Sequence, residues 1–260
     1  MESPIISYKE NKKGIIRLNR PAEKNTFNLE FAKTLNKDLR AFDADKDVRV
    51  IIIEAEGKHF STGIALDEFV DKEPHVLQRI LGAMDEHNKT IAQMKKPVIA
   101  SVKGYGIANG SGLAFASDLV VAASDAVFGT TAIRVGLACL GPALPLSRHV
   151  GRKKLLQLLM TGQYISAIEA YEMGLVNWVV EPGELRKKSF EVADQLIEKN
   201  PHALASIKQV VYNAAEMPYS LGVDAATNAF TQLALHPNAK AGLRAFAEKS
   251  KPTWPQDNIE

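Results

Sequence analysis

The stretch 96-KPVIASVKGYGIANGSGLAFASDLVVAASDAVFG-129 decides how the rest of the chain is read. It holds an apolar run, 98-VIASV-102, a turn with glycines at 104, 106 and 110, and the start of a small-residue helix. Glycines between a strand and a helix let the backbone come close to another group. Three readings of that group compete. Gly104-x-Gly106-x-x-x-Gly110 approximates a dinucleotide fingerprint, with Asp125 about 20 residues after the first glycine, though the third glycine comes one place late. Alternatively, backbone N–H groups at the helix start, aided by the helix dipole, hold an oxygen that becomes an oxyanion. A second donor then comes from 59-HFSTGIALDEF-69, so that both lie at the C-terminal ends of neighbouring strands. The third reading is two structural turns with no ligand.

Working outward, 50-VIIIEA-55 is a continuous β-branched run, the pattern of a strand buried on both faces. The run 14-GIIRLN-19 is a further strand. Between them, 29-LEFAKTLNKDLRAF-42 places Ala32, Leu35, Leu39 and Phe42 on one helical face, with Asn28 as N-cap. A helix over 76–94 stops before 95-KKP-97, and 119-LVVAA-123 and 126-AVFG-129 read as strands. From about residue 151 the pattern is mostly helical, with helices over 153–161, 166–173, 184–199, 202–215, 221–235 and 237–249. The chain is therefore α/β, with a core over 1–195 and a C-terminal helical region over 196–260 suited to oligomerisation.

The 260 residues suffice for a large core, and 46% hydrophobic with 24% charged residues is ordinary for a globular protein. A net charge of +2 argues against a nucleic-acid surface. Cys139 is the single cysteine, so no intrachain disulfide forms, and it reads as a small buried hydrophobe. No apolar run reaches the roughly 18 residues of a membrane span, and MESPIISYKENKKG lacks the apolar centre of a signal peptide. The expected location is cytoplasmic. No His, Cys and Asp cluster has metal-ligand spacing.

The segments 19-NRPAEKNTFN-28, 58-KHFSTGIALDEF-69, 96–129, 174-GLVNWVV-180 and 246-FAEKSKP-252 together resemble the enoyl-CoA hydratase/isomerase (crotonase) family across nearly the whole chain. The resemblance displaces the dinucleotide reading. It implies a crotonase-like stack of ββα units, assembled as homotrimers or homohexamers, and acyl-coenzyme A thioester substrates. Coenzyme A then arrives as part of the substrate, and no cofactor is permanently bound. The resemblance also implies two backbone oxyanion donors: Ile64, after Thr62-Gly63, and Asn109, before Gly110. Asn109 carries a side chain where that family has a glycine, and asparagine tolerates left-handed φ. Lys24 and Asn25 match the loop beside the nucleotide, and Lys249 and Lys251 match the basic positions near coenzyme phosphates.

Where the resemblance places the two hydratase glutamates, this chain has Gly112 and Ala132. Neither moves a proton. The glycine-rich turn that follows, 136-GLACLGPALPLSRHVG-151, offers Cys139 and Leu140 in place of an alternative acid. General acid–base groups contribute ~10²–10⁴-fold, so rapid hydration of a 2-enoyl thioester is not expected. Isomerase or lyase chemistry through an enolate, or acyl-CoA binding without turnover, fits better. Asp67 and Glu68 are weighed as pocket-mouth acids or an exposed helix start. His59 and His149 read as structural or exposed, Tyr105 as packing, and Ser111, Thr130 and Thr131 as holders of a water.

Overall fold

The computed structural model describes residues 3–255 except residue 215, so Ala215, the end of the helix expected over 202–215, lies outside the described residues. The chain opens with a hairpin, β1 (Ile5–Glu10) and β2 (Lys13–Leu18). Asn11 and Lys12 both take positive φ, 48° and 63°, as a tight two-residue hairpin turn requires. Then come α1 (Leu29–Ala44), β3 (Val50–Ala55), α2 (Pro74–Gln93), β4 (Val98–Val102), β5 (Tyr105–Ile107) and α3 (Asn109–Ala116). Next are β6 (Leu119–Ala123), β7 (Val127–Gly129), α4 (Leu140–Ser147), α5 (Arg152–Thr161), β8 (Tyr164–Ser166) and α6 (Ala167–Glu172). The chain ends with β9 (Trp178–Val180), α7 (Leu185–Ile197), α8 (Pro201–Ala214), α9 (Tyr219–Leu235) and α10 (Pro237–Ala247).

The main sheet runs β1-β2-β3-β4-β6-β9, parallel throughout except for the β1–β2 hairpin. A small sheet, β5-β7-β8, stands beyond the ends of β4 and β6. Alternation along β3 explains its unbroken apolar sequence. Ile51 and Ile53 face a core with Phe31, Leu35, Met84 and Leu113 from α1, α2 and α3. Val50 and Ile52 face a second core closed by Leu185, Val192 and Ala193 of α7. Asn28 caps α1 as expected, its side chain accepting from Phe31 N at 2.8 Å. β1 was not foreseen because only Ile5 is buried and the polar residues Ser7, Lys9 and Glu10 break the apolar pattern, as suits an edge strand.

The C-terminal helices are tied to the sheet by a buried polar cluster. Lys208 Nζ on α8 donates to Asp118 Oδ2 at 2.7 Å and to Lys96 O at 3.1 Å. Tyr212 OH donates to Asp118 Oδ1 at 3.0 Å, and Val98 N donates to Oδ2 at 2.7 Å. Burial pushes the Asp118 carboxyl up, and these donors pull against that. Among the described residues, no helix is long and apolar enough to cross a membrane.

One expectation fails here. The stretch 136–151 is not a continuous glycine-rich turn, because residues 140–147 form α4. Pro142 falls in its first turn, where the missing N–H costs nothing, and Pro145 gives up a single helical bond.

Candidate active site

The site is assembled where the parallel strands end. Residues 60–64 follow β3, residues 103–110 follow β4, and the loop with Lys24 and Asn25 follows β2. Backbone bonds zip the first two together: Ser61 N donates to Tyr105 O and Ile107 N donates to Ser61 O, both at 2.9 Å. On the other side, Phe27 N donates to Gly63 O and Ala65 N to Phe27 O, at 2.7 and 2.8 Å. Ile64 is thus gripped from both sides while its own N–H stays out of the pairing. Asn109 is the first residue of α3, where an N–H has no helical acceptor. Among the described residues, neither N–H makes a hydrogen bond within the protein.

Glycines let the two segments pack closely. A Cβ on Gly63, which has φ +99°, would lie 2.7 Å from Ala108 Cβ and 3.6 Å from Asn109 N. A Cβ on Gly110 would lie 2.3 Å from Ser61 O. The conformational expectation for the turn needs correcting. The residue with positive φ is Ala108, at φ 49° and ψ −122°, and Asn109 is already helical. Asparagine at 109 therefore needs no left-handed tolerance. Its side chain turns aside and donates through Nδ2 to Asp85 Oδ1 at 3.2 Å.

Asp85, on α2, is a neighbour of Asn109 that the sequence reading missed. Burial pushes its carboxyl up, and the bond from Asn109 pulls it partly back, with no cation contributing. Nothing in the pair 85-DE-86 marks the difference between its members. Glu86 turns outward to Arg40 at 2.6 Å, and Asp85 turns toward the Asn109 side chain. Gly141 makes room for it, since a Cβ there would lie 2.1 Å from Asp85 Oδ1. Around the same corner lie Cys139, whose thiol is pushed up by burial and nearby Asp85, and the backbone of Ala132. Gly112 faces Pro142, whose Cγ would be 3.0 Å from an added Cβ. Gly112, Ala132 and Asp85 thus all border the start of α4.

Most of the other singled-out side chains are engaged within the fold. Asn25 is fully buried; its Oδ1 accepts from Arg20 N, and its Nδ2 donates to Glu56 O and His59 O at 3.0 and 2.8 Å. Lys24 is exposed, with its carbonyl accepting from Thr62 N at 3.2 Å. Ser111 Oγ donates to Gly106 O at 2.5 Å and accepts from Gly129 N at 3.0 Å. Thr130 Oγ1 donates to Leu158 O at 2.8 Å. His59 Nδ1 accepts from Tyr105 N at 3.1 Å, and burial, Lys58 and Lys24 hold its imidazole below the usual range. Its ring stacks on Tyr105, and His149 Nε2 lies 3.2 Å from Phe115 O. Glu68 Oε1 accepts from Leu29 N at the start of α1, at 3.1 Å.

Lys249 and Lys251 are not brought to these loops within one chain. Lys251 pairs with Glu198, at the end of α7, at 2.7 Å. The neighbouring Lys199 O accepts from Arg49, which precedes β3. That is the opposite end of the sheet from Ile64. The groove between α8 and α9, lined by His202, Gln209, Met217 and Gln232, also lies at that end, beside Lys95. Among the described residues no group of side chains has the makings of a metal site.

Comparison with known proteins agrees over nearly the full length. The sequence model of the family described as enoyl-CoA hydratase/isomerase matches residues 9–257. A probable enoyl-CoA hydratase of Rhizobium meliloti is 31% identical over 250 residues, covering 95% of this chain and 96% of that protein. A short-chain-enoyl-CoA hydratase of Clostridium acetobutylicum is 30% identical, covering 95% of each. The crystal structure of an enoyl-CoA hydratase from Mycobacterium smegmatis superposes with a TM-score of 0.94 at 30% identity, covering 97% of this chain and 99% of that one. Human enoyl coenzyme A hydratase domain-containing protein 3 superposes with a TM-score of 0.93 at 29% identity, covering 96% and 100%.

Proposed function

Because the chain belongs to the enoyl-CoA hydratase/isomerase family, we propose that it binds an acyl-coenzyme A thioester and stabilises its enolate between Ile64 N–H and Asn109 N–H. The observation carrying this reading is that Ile64 N–H and Asn109 N–H are both unpaired among the described residues, on segments packed so closely that a Cβ on Gly63 would come within 3.6 Å of Asn109 N and one on Gly110 within 2.3 Å of Ser61 O. As a proton leaves the α-carbon, charge gathers on the thioester oxygen. Donors already aimed at that oxygen need no reorganisation, and each contributes about 3 kcal/mol. Isomerisation or a lyase reaction is favoured over hydration, since Gly112 and Ala132 hold no carboxyl to place and activate water.

Lys24, Asn25, Thr62, Gly63 and Gly110 shape the thioester and nucleotide side of this site. Lys249 and Lys251 meet coenzyme phosphates across a subunit boundary, because within their own chain they lie at the far end of the sheet. Exposed Phe230, Leu235, Leu243 and Phe246 on α9 and α10 suit such self-association into trimers or hexamers.

The test is mass spectrometry of products from a panel of 2-enoyl, 3-enoyl, cyclic dienoyl, 3-hydroxyacyl and malonyl thioesters, followed by separation of double-bond isomers. A shifted double bond or loss of carbon dioxide supports the enolate reading. Rapid gain of one water on a 2-enoyl thioester sinks the preference against hydration. Binding without any change in mass or isomer leaves a non-catalytic acyl-CoA binder, the reading that Gly112 and Ala132 alone favour.

A further inference from the structure

We propose that Asp85 is the catalytic acid–base group of this site, taking the proton from the thioester's α-carbon and returning it further along the acyl chain. The inference rests on the enolate reading above. Three observations converge on the carboxylate. Asn109, whose backbone N–H is one oxyanion donor, holds Asp85 Oδ1 through its side chain at 3.2 Å. The carboxylate is therefore one side chain away from an oxyanion donor. Gly141 leaves its space open, as the 2.1 Å distance to an added Cβ shows. Pro142, the next residue, stands where a side chain on Gly112 would project. The corner is thus crowded on the α3 side and open to a carboxylate from α2.

A structural purpose explains Asp85 poorly. A half-buried carboxylate with, among the described residues, one neutral hydrogen bond and no paired cation weakens a fold. An asparagine or a leucine would serve packing better. The nearby alternatives are engaged: Ser111 and Thr130 donate to carbonyls, and His59 Nδ1 holds Tyr105 N. Cys139, the titratable neighbour from the start of α4, is kept protonated by its burial.

One carboxylate suffices for a double-bond shift. Asp85 takes a proton from C2 of a 3-enoyl thioester, and the C–H pair flows onto the thioester oxygen through C1. The oxygen's charge sits between Ile64 and Asn109. The pair then returns, C2=C3 forms, and the C3=C4 pair takes the proton back from the Asp85 carboxyl at C4. Nothing is added or lost, and Asp85 ends as it began. Hydration would need a second group to activate water.

The experiment follows exchange of C2 protons and the double-bond shift of a short 3-enoyl-CoA in D2O by NMR, with calorimetric binding of the saturated thioester alongside. Asp85→Asn is expected to lose ~10²–10⁴ of exchange and turnover, with Kd within about threefold of the original. Gly141→Ala, which pushes into the carboxylate without removing it, is expected to lose about tenfold or more by displacement. In Asp85→Ala, added formate is expected to restore part of the rate. Asp85→Asn that exchanges as well as the unaltered protein overturns the proposal and leaves the enolate reading standing. Loss of binding together with exchange, with no formate rescue, also overturns it, since Asp85 would then only shape the pocket. An unaltered protein that binds the thioester and exchanges nothing overturns both readings.

Discussion

One wall of the site, residues 60–64 against 104–110, is closed by backbone, whereas the other, residues 131–147, is faced by side chains. In the first wall added Cβ atoms would meet main chain, at 2.3 Å from Ser61 O for Gly110 and 2.4 Å from Lys58 O for Gly104. In the second, Gly136 has nothing within 4 Å, and Val135, Leu137, Leu140 and Leu144 are exposed. The difference separates two tasks. Donor positions must hold to a fraction of an ångström, and main chain does that irrespective of most side chains. Proton-moving groups need only reach the substrate from some nearby element, so they are free to change element.

The sharpest way to break the comparison is Gly110→Ala. Its methyl group meets main chain that cannot swing aside, so about 3 kcal/mol of stability is lost, the upper end for overpacking. Urea denaturation and thioester binding would register this together. A gentle loss would show that the backbone wall yields after all.

Acid probes the same wall from behind. His87 packs against Phe27, has no partner for Nε2, and is held by burial at about 4 rather than 6.5. Its folded value lies below its unfolded value, so the unfolded chain binds the proton more readily between them. Stability is complete above pH 6.5 and falls by roughly 3 kcal/mol as pH drops to 4. Denaturation at pH 7 and pH 4.5 would measure the drop. In His87→Leu that share of the pH dependence is expected to vanish.

Gly112→Glu combined with Ala132→Glu sharpens the contrast. Pro142 crowds position 112, so the pair is expected to cost about 1–3 kcal/mol and to confer no hydration of a 2-enoyl thioester. Hydration appearing would mean that the second wall is only missing its acids. The smallest effect belongs to Gly136→Ala. That site has open space but φ +77°, so only the backbone term of about 1 kcal/mol remains, readable as a shifted urea midpoint.

The same division decides what was legible in the sequence. The strands 50–55, 98–102 and 119–123 declared themselves by apolar runs, and their observed bounds match. Gly63 and Gly110 signalled the backbone wall because close approach of main chain demands glycine at such positions. β1 and α4 were not legible. The first has a polar outer face, and the second carries two prolines that read as breakers. Asp85 was invisible for a different reason. Its meaning comes from Asn109, 24 residues later, and from the room left by Gly141, and neither contact has a periodic signature.

Ala108 has a consequence for how the protein comes apart. At φ 49° and ψ −122° it holds a conformation costing about 1–3 kcal/mol, kept in place only by its surroundings. Once those surroundings loosen, the turn relaxes of its own accord and the donors part. Rising denaturant should therefore silence the site before helices and strands melt, and a partly denatured sample would keep its circular dichroism after it has stopped gripping a thioester.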